Sequence, residues 1–267
     1  MEYKYKVSIL SMFKNEEMIM EEWINHYISE GIQHFYLIDN GSTDNYKLIL
    51  NNYLDKITLV EDSTRDKSET QPLLYNKHYL EVIKKESEWL IVCDMDEYIY
   101  SRKSFKTILD YINNIPEHIE CITLPWKNFG NNGVRMQPKS IVSTFTMHEE
   151  PNSFKQRTMN ANYLGHCKSL TKTKNINRLN VHINQNIKKE VYFSDFTLLN
   201  FKSYDIKNQN LHINHYQHMS FEYYTKIKMV RGRGQCNMKT YDLNRFNHEN
   251  TIFNRVRDLE LSNKKNV

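Results

Sequence analysis

Residues 89–97 have the sequence WLIVCDMDE, in which five apolar residues run directly into a cluster of three carboxylates. An unbroken apolar run of this length predicts a strand that is buried on both faces, as in a parallel sheet. Asp94 and Asp96, one residue apart at the end of such a strand, can share a divalent cation. A D-x-D pattern alone can also cap a helix, but three crowded carboxylates are costly without a cation, which favours a metal site.

The residues before this segment alternate between strands and helices. Strands are predicted at 7–12, 34–38, 57–60 and 89–93, and helices at 15–30, 48–54 and 71–87. Asn15 is a candidate N-cap of the first helix, and Gly31 is its predicted end. Strands that alternate with helices of this length predict an α/β fold with a doubly wound, mostly parallel sheet and helices on both faces.

Beyond residue 130 the pattern is less regular. A short strand is predicted at 140–146, and a helical region begins near Ser220, with Phe221, Tyr224, Ile227 and Lys228 spaced for one face. The chain has only 7 Gly and 5 Pro, so no linker stands out. We therefore predict a single domain over 1–267, with a regular half at 1–130, a completing half at 131–234 and a C-terminal tail helix at 235–267.

Several classes of protein are excluded by composition. No apolar run in the 267 residues approaches the roughly 20 that a membrane-spanning helix needs. The N-terminal apolar stretch is too short for a signal peptide. Four scattered cysteines without a C-x-x-C pair form neither a zinc knuckle nor a disulfide framework. These features predict a cytoplasmic protein in a reducing compartment.

Charge is divided unevenly along the chain. Residues 1–120 carry 13 basic and 22 acidic side chains, whereas residues 121–267 carry 23 basic and 10 acidic ones. One interpretation is a solvated surface that happens to be uneven. Another is a front half that supplies metal-binding carboxylates and a rear half that faces phosphates. A basic rear half would also suit nucleic acid.

Polar clusters follow two further strands. Asn15 and Glu16 come after the first strand, and Asp39, Asn40, Ser42 and Asp44 after the second. Ligands of open α/β sheets bind outside the carboxyl ends of the strands, so these residues are candidates for nucleotide contact. Helix capping and turn formation explain the same residues equally well, with Asp44 as an N-cap.

The rear half contains three further candidate features. Lys226, Lys228, Arg231 and Arg233 form a basic run that is either a solvated helix end or a clamp for phosphates. Trp126, Asn128 and Phe129 belong either to the core or to an aromatic wall for a sugar ring. His212, His215 and His218 recur every third residue, but without Cys or an H-E-x-x-H motif they do not indicate catalytic zinc. A single His that completes the carboxylate site is a better interpretation than zinc, and structural imidazoles in a Tyr-rich core are the alternative.

Taken in order, these segments resemble the family-2-like glycosyltransferases with a GT-A fold, and most closely glycosyltransferase family 92. The resemblance spans roughly residues 7–234. It rests on the following positions: Lys14-Asn15-Glu16, Glu22-Trp23, Gly31 through Asp44, Asp94-Met95-Asp96-Glu97, Trp126 through Gly130, Lys168-Ser169, His182, and His215-Tyr216 with Ser220 and Lys226.

The resemblance implies a metal-dependent hexosyltransferase that moves a sugar from a nucleoside diphosphate donor, with UDP expected, to a glycan or glycoprotein hydroxyl with inversion. Asp94 and Asp96 would hold Mn²⁺ or Mg²⁺, with His215 as third protein ligand and His182 as its rival. Residues expected to contact the donor are Asn15, Glu16, Asp39, Asn40, Ser42, Asp44, Asp94, Lys168, Lys226 and Arg231. Trp126, Asn128 and Phe129 would contact the sugar or acceptor.

The sequence does not identify a single residue as the general base. Glu97 is the nearest candidate to the metal pair in sequence, and Glu149, Glu150 and Asp242 are outside candidates. Two other functions stay open at this point: a nucleic-acid-binding protein that uses the basic rear half, and a non-catalytic GT-A module that binds glycans. The intact D-x-D pair disfavours the glycan-binding module, and no RNP-like aromatic cluster supports binding of nucleic acid.

Overall fold

The computed structural model describes residues 2–65, 69–151, 153, 166–186, 190–231 and 241–265. The strands in this part of the chain are β1 Tyr5–Phe13, β2 His34–Asp39, β3 Ile57–Glu61, β4 Ser87–Val92, β5 Glu97–Ser101, β6 Cys121–Asn128, β7 Met147–His148, β8 Cys167–Lys172, β9 Ile176–Arg178, β10 Gln185–Asn186, β11 Tyr192–Phe193, β12 Leu211–His215 and β13 Val256–Arg257.

The α-helices described are α1 Glu17–Ser29, α2 Tyr46–Leu50, α3 Thr70–His78, α4 Leu80–Glu86, α5 Ile108–Asn113, α6 Ile141–Thr144, α7 Phe221–Tyr223, α8 Met229–Arg231, α9 Leu243–Phe253 and α10 Glu260–Lys265. A π-helical turn, Tyr224–Lys228, joins α7 to α8. No helix in the described ranges is both long and apolar enough to cross a bilayer.

The main sheet has the order β3-β2-β1-β4-β8-β6-β12-β5, with β11 beside β6. Strands β3, β2, β1 and β4 pair in parallel with one another, as do β6 with β12 and β6 with β11. Only β8 and β5 run antiparallel to their neighbours. The predicted α/β class with a mostly parallel sheet is therefore confirmed.

Both faces of this sheet are buried, which explains the unbroken apolar runs. In β4, Trp89 and Ile91 join the core on one face, while Leu90 and Val92 join a second core on the other. Helix α1 covers the first face, and α3 and α4 cover the second. Successive side chains of a strand point to opposite faces of the sheet. A strand is therefore apolar throughout only when both faces of the sheet are covered.

Two local predictions differ from the structure, and one agrees with it. The helix predicted at 71–87 is interrupted at Tyr79, whose hydroxyl donates to the backbone oxygens of Leu37 and Thr58 at 2.9 and 2.8 Å. Residues 140–146 form the short helix α6 instead of a strand, with the Ser140 hydroxyl as its N-cap. Gly31 ends α1 as predicted, with φ at +86°, where a side chain would be strained.

The C-terminal region is more elaborate than a single tail helix. Helices α9 and α10 flank β13, and β13 pairs with β7. Lys127 of β6 is almost fully buried, and its ammonium contacts the Tyr100 hydroxyl and the Asp258 carboxylate, both at 2.7 Å. This buried ion pair ties the C-terminal region to the centre of the sheet. Residues 235–240 of the predicted tail lie outside the described ranges.

Candidate active site at the carboxyl ends of the strands

The turn that carries the D-x-D pair connects β4 to β5, and side chains of α1 hold its backbone in place. The indole nitrogen of Trp23 donates to the backbone oxygens of Asp94 and Glu97, both at 3.1 Å. The Tyr27 hydroxyl also donates to the Glu97 backbone oxygen, at 2.9 Å. Both aromatic side chains are fully buried, so the backbone of this turn is fixed by the core.

Asp94 and Glu97 share one buried lysine, Lys168 of β8. The Lys168 ammonium lies 2.8 Å from the Asp94 carboxylate and 3.4 Å from that of Glu97. Burial opposes the charge on Lys168, but the two carboxylates hold its pKa well above the usual range. Gln71 donates to the other oxygen of Asp94 at 3.1 Å. Lys168 therefore lies beside the D-x-D segment.

Asp96 faces a different pair of groups, His215 and Lys228. Strand β12 runs beside β5 and β6 and places His215 opposite Glu97. The His215 Nε2 atom lies 3.8 Å from the Asp96 Oδ2 atom, and the Lys228 ammonium contacts the same oxygen. Burial disfavours the charge on Asp96, yet Lys228 and His215 hold its pKa well below the usual range. Asp96 is therefore ionised in the folded protein.

The orientation of the His215 ring is fixed by a chain of buried polar groups. Its Nδ1 atom lies 3.0 Å from the Asn128 side-chain oxygen, and the Asn128 amide donates to the Glu149 carboxylate at 2.9 Å. The Asn128 oxygen can only accept, so His215 Nδ1 carries the donated hydrogen and Nε2 is the ring atom that faces Asp96. The predicted sugar contact Asn128 and the outside base candidate Glu149 thus serve to position His215.

The residues present fit a divalent cation. Asp96, Glu97 and His215 each offer a ligand atom, and these atoms lie within 4.8 Å of one another. The Glu97 Oε1 atom is buried and has no hydrogen-bond partner among the described residues. Carboxylate oxygens and one imidazole are a donor set that Mn²⁺ accepts. The structure groups His215, rather than its rival His182, with Asp96.

Glu97 itself is fully buried, and burial raises its pKa to about 7. A general base must reach the hydroxyl of the incoming acceptor. The position of Glu97 beneath the turn, bonded to the Asp94 backbone nitrogen at 2.8 Å, argues against that role. Another base candidate, Asp242, caps α9 through the Arg245 backbone nitrogen at 2.7 Å.

Near the Asp96–Lys228 pair, a second ion pair joins Glu16, which directly precedes α1, to Arg231 at the end of α8. The buried Glu16 carboxylate accepts hydrogen bonds from Tyr223 and Arg231. Burial raises the pKa of Glu16, and the neighbouring Arg231 and Lys228 oppose that rise. Arg231 also donates to the Lys14 backbone oxygen at 3.2 Å. Glu16 thus anchors the segment that carries Lys228 and Arg231.

The loop of residues 40–45 is connected to the residues before α1. The Asn15 backbone nitrogen donates to the Ser42 hydroxyl at 2.9 Å, and Asn15 Oδ1 accepts from Thr43 at 2.7 Å. Asn15 has a φ of +56° and does not cap α1, contrary to the prediction. Asp44 accepts instead from the first backbone nitrogen of α1, on Glu17, at 2.8 Å.

Asp39 holds the beginning of the same loop. Its two oxygens accept from the Ser42 backbone nitrogen at 2.8 Å and from the Tyr46 hydroxyl at 3.1 Å. The Asn40 amide donates to the backbone oxygens of Asp62 and Thr64 at 2.8 and 3.0 Å. In this structure these polar side chains shape the loop, as the turn interpretation expects.

The aromatic residues of β6 differ in accessibility. Trp126 is partly exposed, and its ring centroid lies 4.3 Å from that of His215. Its indole nitrogen is buried without a partner in the described part of the chain. Phe129 is 1% exposed and packs on Tyr216, so it belongs to the core and not to an aromatic wall. His182 lies on another side of Trp126, with the ring centroids 5.6 Å apart.

The remaining candidates are dispersed. Lys226 is exposed and pairs with Glu222 at 2.7 Å. His212 lies beside Glu260, and His218 lies beside Glu249, so the three histidines at intervals of three do not share a site. Arg233 lies outside the described residues.

An α/β domain with this carboxylate–histidine cluster has the architecture of an enzyme whose ligands bind at the carboxyl ends of the strands. The sequence model of Glycosyltransferase family 92 matches residues 3–258. The chain belongs to glycosyltransferase family 92, as the motifs predict.

Solved structures show partial similarity. Residues 1–349 of TarS from S. aureus are 22% identical, with 63% of this chain and 47% of that chain covered and a TM-score of 0.38. Glucosyl-3-phosphoglycerate synthase from Mycobacterium tuberculosis, crystallised with Mn²⁺, UDP and glucosyl-3-phosphoglycerate, is 12% identical, with coverage of 64% and 57% and a TM-score of 0.35. The chain thus spans about half the length of these proteins. No curated protein sequence matches it significantly.

Sequence reasoning missed the partners of the acidic residues. The contacts of Gln71 with Asp94 and of Tyr223 with Glu16 join segments far apart in the chain. The basic run did contain Lys228, but its helical spacing did not predict a contact with Asp96. The π-helical turn shifts the buried face to Tyr223, Tyr224 and Lys228.

Proposed function

We propose that this chain transfers a sugar from a nucleoside diphosphate donor, with UDP as the expected nucleotide, to a hydroxyl group of a glycan acceptor with inversion. The observation that carries the proposal is the cluster of Asp96, Glu97 and His215 at the strand ends, with two buried lysines beside it. Membership of glycosyltransferase family 92 supports the same reaction class.

In this proposal Asp96 and His215 hold Mn²⁺ or Mg²⁺, with Glu97 close to both. When bound, the cation would neutralise charge on the departing diphosphate. The Lys168 ammonium holds the Asp94 carboxylate in place, while the Glu149–Asn128 pair keeps the His215 Nε2 atom directed at Asp96. The loops at 14–16 and 40–45 would receive the nucleotide, and the partly exposed Trp126 would face the sugar.

The distribution of basic groups favours a phosphate ligand over nucleic acid. Lys168, Lys228 and Arg231 are directed inward at carboxylates and do not form an exposed basic surface. Polynucleotide binding relies on exposed cations that neutralise many phosphates. A non-catalytic glycan-binding module would not require a buried histidine oriented toward a carboxylate pair.

The test is metal-dependent nucleotide binding measured by calorimetry. We expect UDP to bind with Mn²⁺ and only weakly with EDTA. His215→Ala should weaken binding of UDP in the presence of Mn²⁺, because one ligand is lost, whereas His182→Ala should not. UDP affinity that is unchanged by EDTA would refute the metal-dependent donor site. A panel of UDP-sugars then identifies the donor through release of UDP.

A further inference from the structure

Each acidic group of the site is neutralised by a cation from the chain itself. Lys168 pairs with Asp94, Lys228 with Asp96, and Arg231 with Glu16. Lys168 lies between two carboxylates, whereas Lys228 contacts Asp96, a carboxylate that also faces His215. The Lys228 ammonium therefore lies beside the ligand pair to which a divalent cation would bind.

An ammonium and a divalent cation repel each other if both contact Asp96. Asp96 is 6% exposed and Lys228 is 2% exposed, so water screens little of the repulsion between two neighbouring cations. The Lys228 contact is made to the Asp96 Oδ2 atom, which is also the atom 3.8 Å from His215 Nε2. Binding of the cation between these atoms requires Lys228 to leave Asp96.

The segment that carries Lys228 is anchored on both sides of this residue, and aromatic rings lie near its ammonium. Tyr223 and Arg231, on either side of it, are both bonded to Glu16. Lys228 ends the π-helical turn, a feature frequent at functional sites. Its ammonium lies 5.9 and 5.7 Å from the ring centroids of Tyr223 and Tyr241, whose faces can receive a displaced cation.

We propose that Lys228 is a built-in counter-ion: it neutralises Asp96 in the ligand-free protein, leaves Asp96 when the divalent cation binds, and then contacts the diphosphate. This inference rests on the proposed function. Because Lys228 competes with the metal but attracts the diphosphate, metal and nucleotide should each bind weakly alone and reinforce one another.

Amine labelling of the wild-type protein tests the displacement without measuring activity. Lys228 should be protected from acetylation in EDTA, labelled with Mn²⁺ alone, and protected again with Mn²⁺ and UDP. Lys47, which is exposed, should be labelled in all three states, and the buried Lys127 in none. Protection of Lys228 with Mn²⁺ bound and UDP absent would overturn the proposal.

Metal affinity gives the second test. Lys228→Met should bind Mn²⁺ at least about tenfold more tightly than wild type without nucleotide, because the competing state is removed. Lys127→Met, which removes a buried lysine elsewhere, should keep the wild-type affinity. Equal Mn²⁺ affinity of wild type and Lys228→Met overturns the counter-ion role alone. Absence of Mn²⁺ binding in both, even with UDP, overturns the proposed function as well.

Discussion

Replacement of Asp96 by Asn removes one charge of a buried ion pair and leaves the Lys228 ammonium without its partner. Both side chains are nearly inaccessible, at 6% and 2% exposure. Removal of one member of a buried pair costs about 3–5 kcal/mol, and the Asn oxygen can still accept one hydrogen bond. We therefore expect Asp96→Asn to lower the free energy of unfolding by about 3 kcal/mol, the lower end of that range.

Removal of both charges should restore most of this loss. In the double variant Asp96→Asn/Lys228→Met no charge stays buried without a partner, so its free energy of unfolding should return to within about 1 kcal/mol of wild type. Urea unfolding in EDTA, followed by fluorescence of the buried Trp23 and Trp89, measures both changes.

Glu61→Gln is the control for this pair of variants. It removes the exposed pair with Lys47 and should cost less than about 1 kcal/mol. If Asp96→Asn is as stable as wild type, or if the double variant is no more stable than Asp96→Asn, the result refutes the reasoning.

Because Asp96→Asn is expected to lose stability, loss of sugar transfer in this variant alone cannot separate metal binding from folding. The double variant is the better test of the metal role.

Two further predictions concern other buried groups. Burial lowers the pKa of His182 to about 4, whereas the unfolded chain takes up this proton near pH 6.5, so wild type should lose stability as the pH falls from about 6.5 toward 4. The variant His182→Gln should lose less stability over the same range. Urea unfolding of both proteins at pH 7 and at about pH 5 checks this, and equal pH dependence would contradict it. Lys127→Met removes the 2.7 Å ion pair with Asp258, so hydrogen exchange should increase across 256–265, while Lys47→Met should leave it unchanged. Unaltered exchange in Lys127→Met would show that this ion pair does not hold the C-terminal region.

The regular half of the fold was predictable because its signals are local. The apolar runs of β1, β2 and β4 are long enough to define strands, and Gly31 is a conformational requirement at a helix end. The break at Tyr79 was not predictable, because the hydrogen bonds that fix it reach two other strands.

The site was predictable only where one segment contains its chemistry. The carboxylates at 94–97 follow their strand directly, so the sequence places them at the sheet edge. His215 meets them because β12 inserts between β6 and β5, an arrangement with no local signal. The partners of Asn128 were not predictable for the same reason, since Glu149 and His215 come from separate segments.

The hydrogen bonds from Trp23 and Tyr27 to the turn after β4 have a consequence for ligand binding. Helix α1 holds the carboxylate turn through these rings, and its first backbone nitrogen is held by Asp44 of the neighbouring loop. One rigid helix thereby sets the distance between the expected cation position and the expected nucleotide position. The conformational entropy of ordering these two positions is lost during folding, before either ligand binds. Less of the interaction free energy with the ligands is then needed to order the protein, so more of it contributes to affinity.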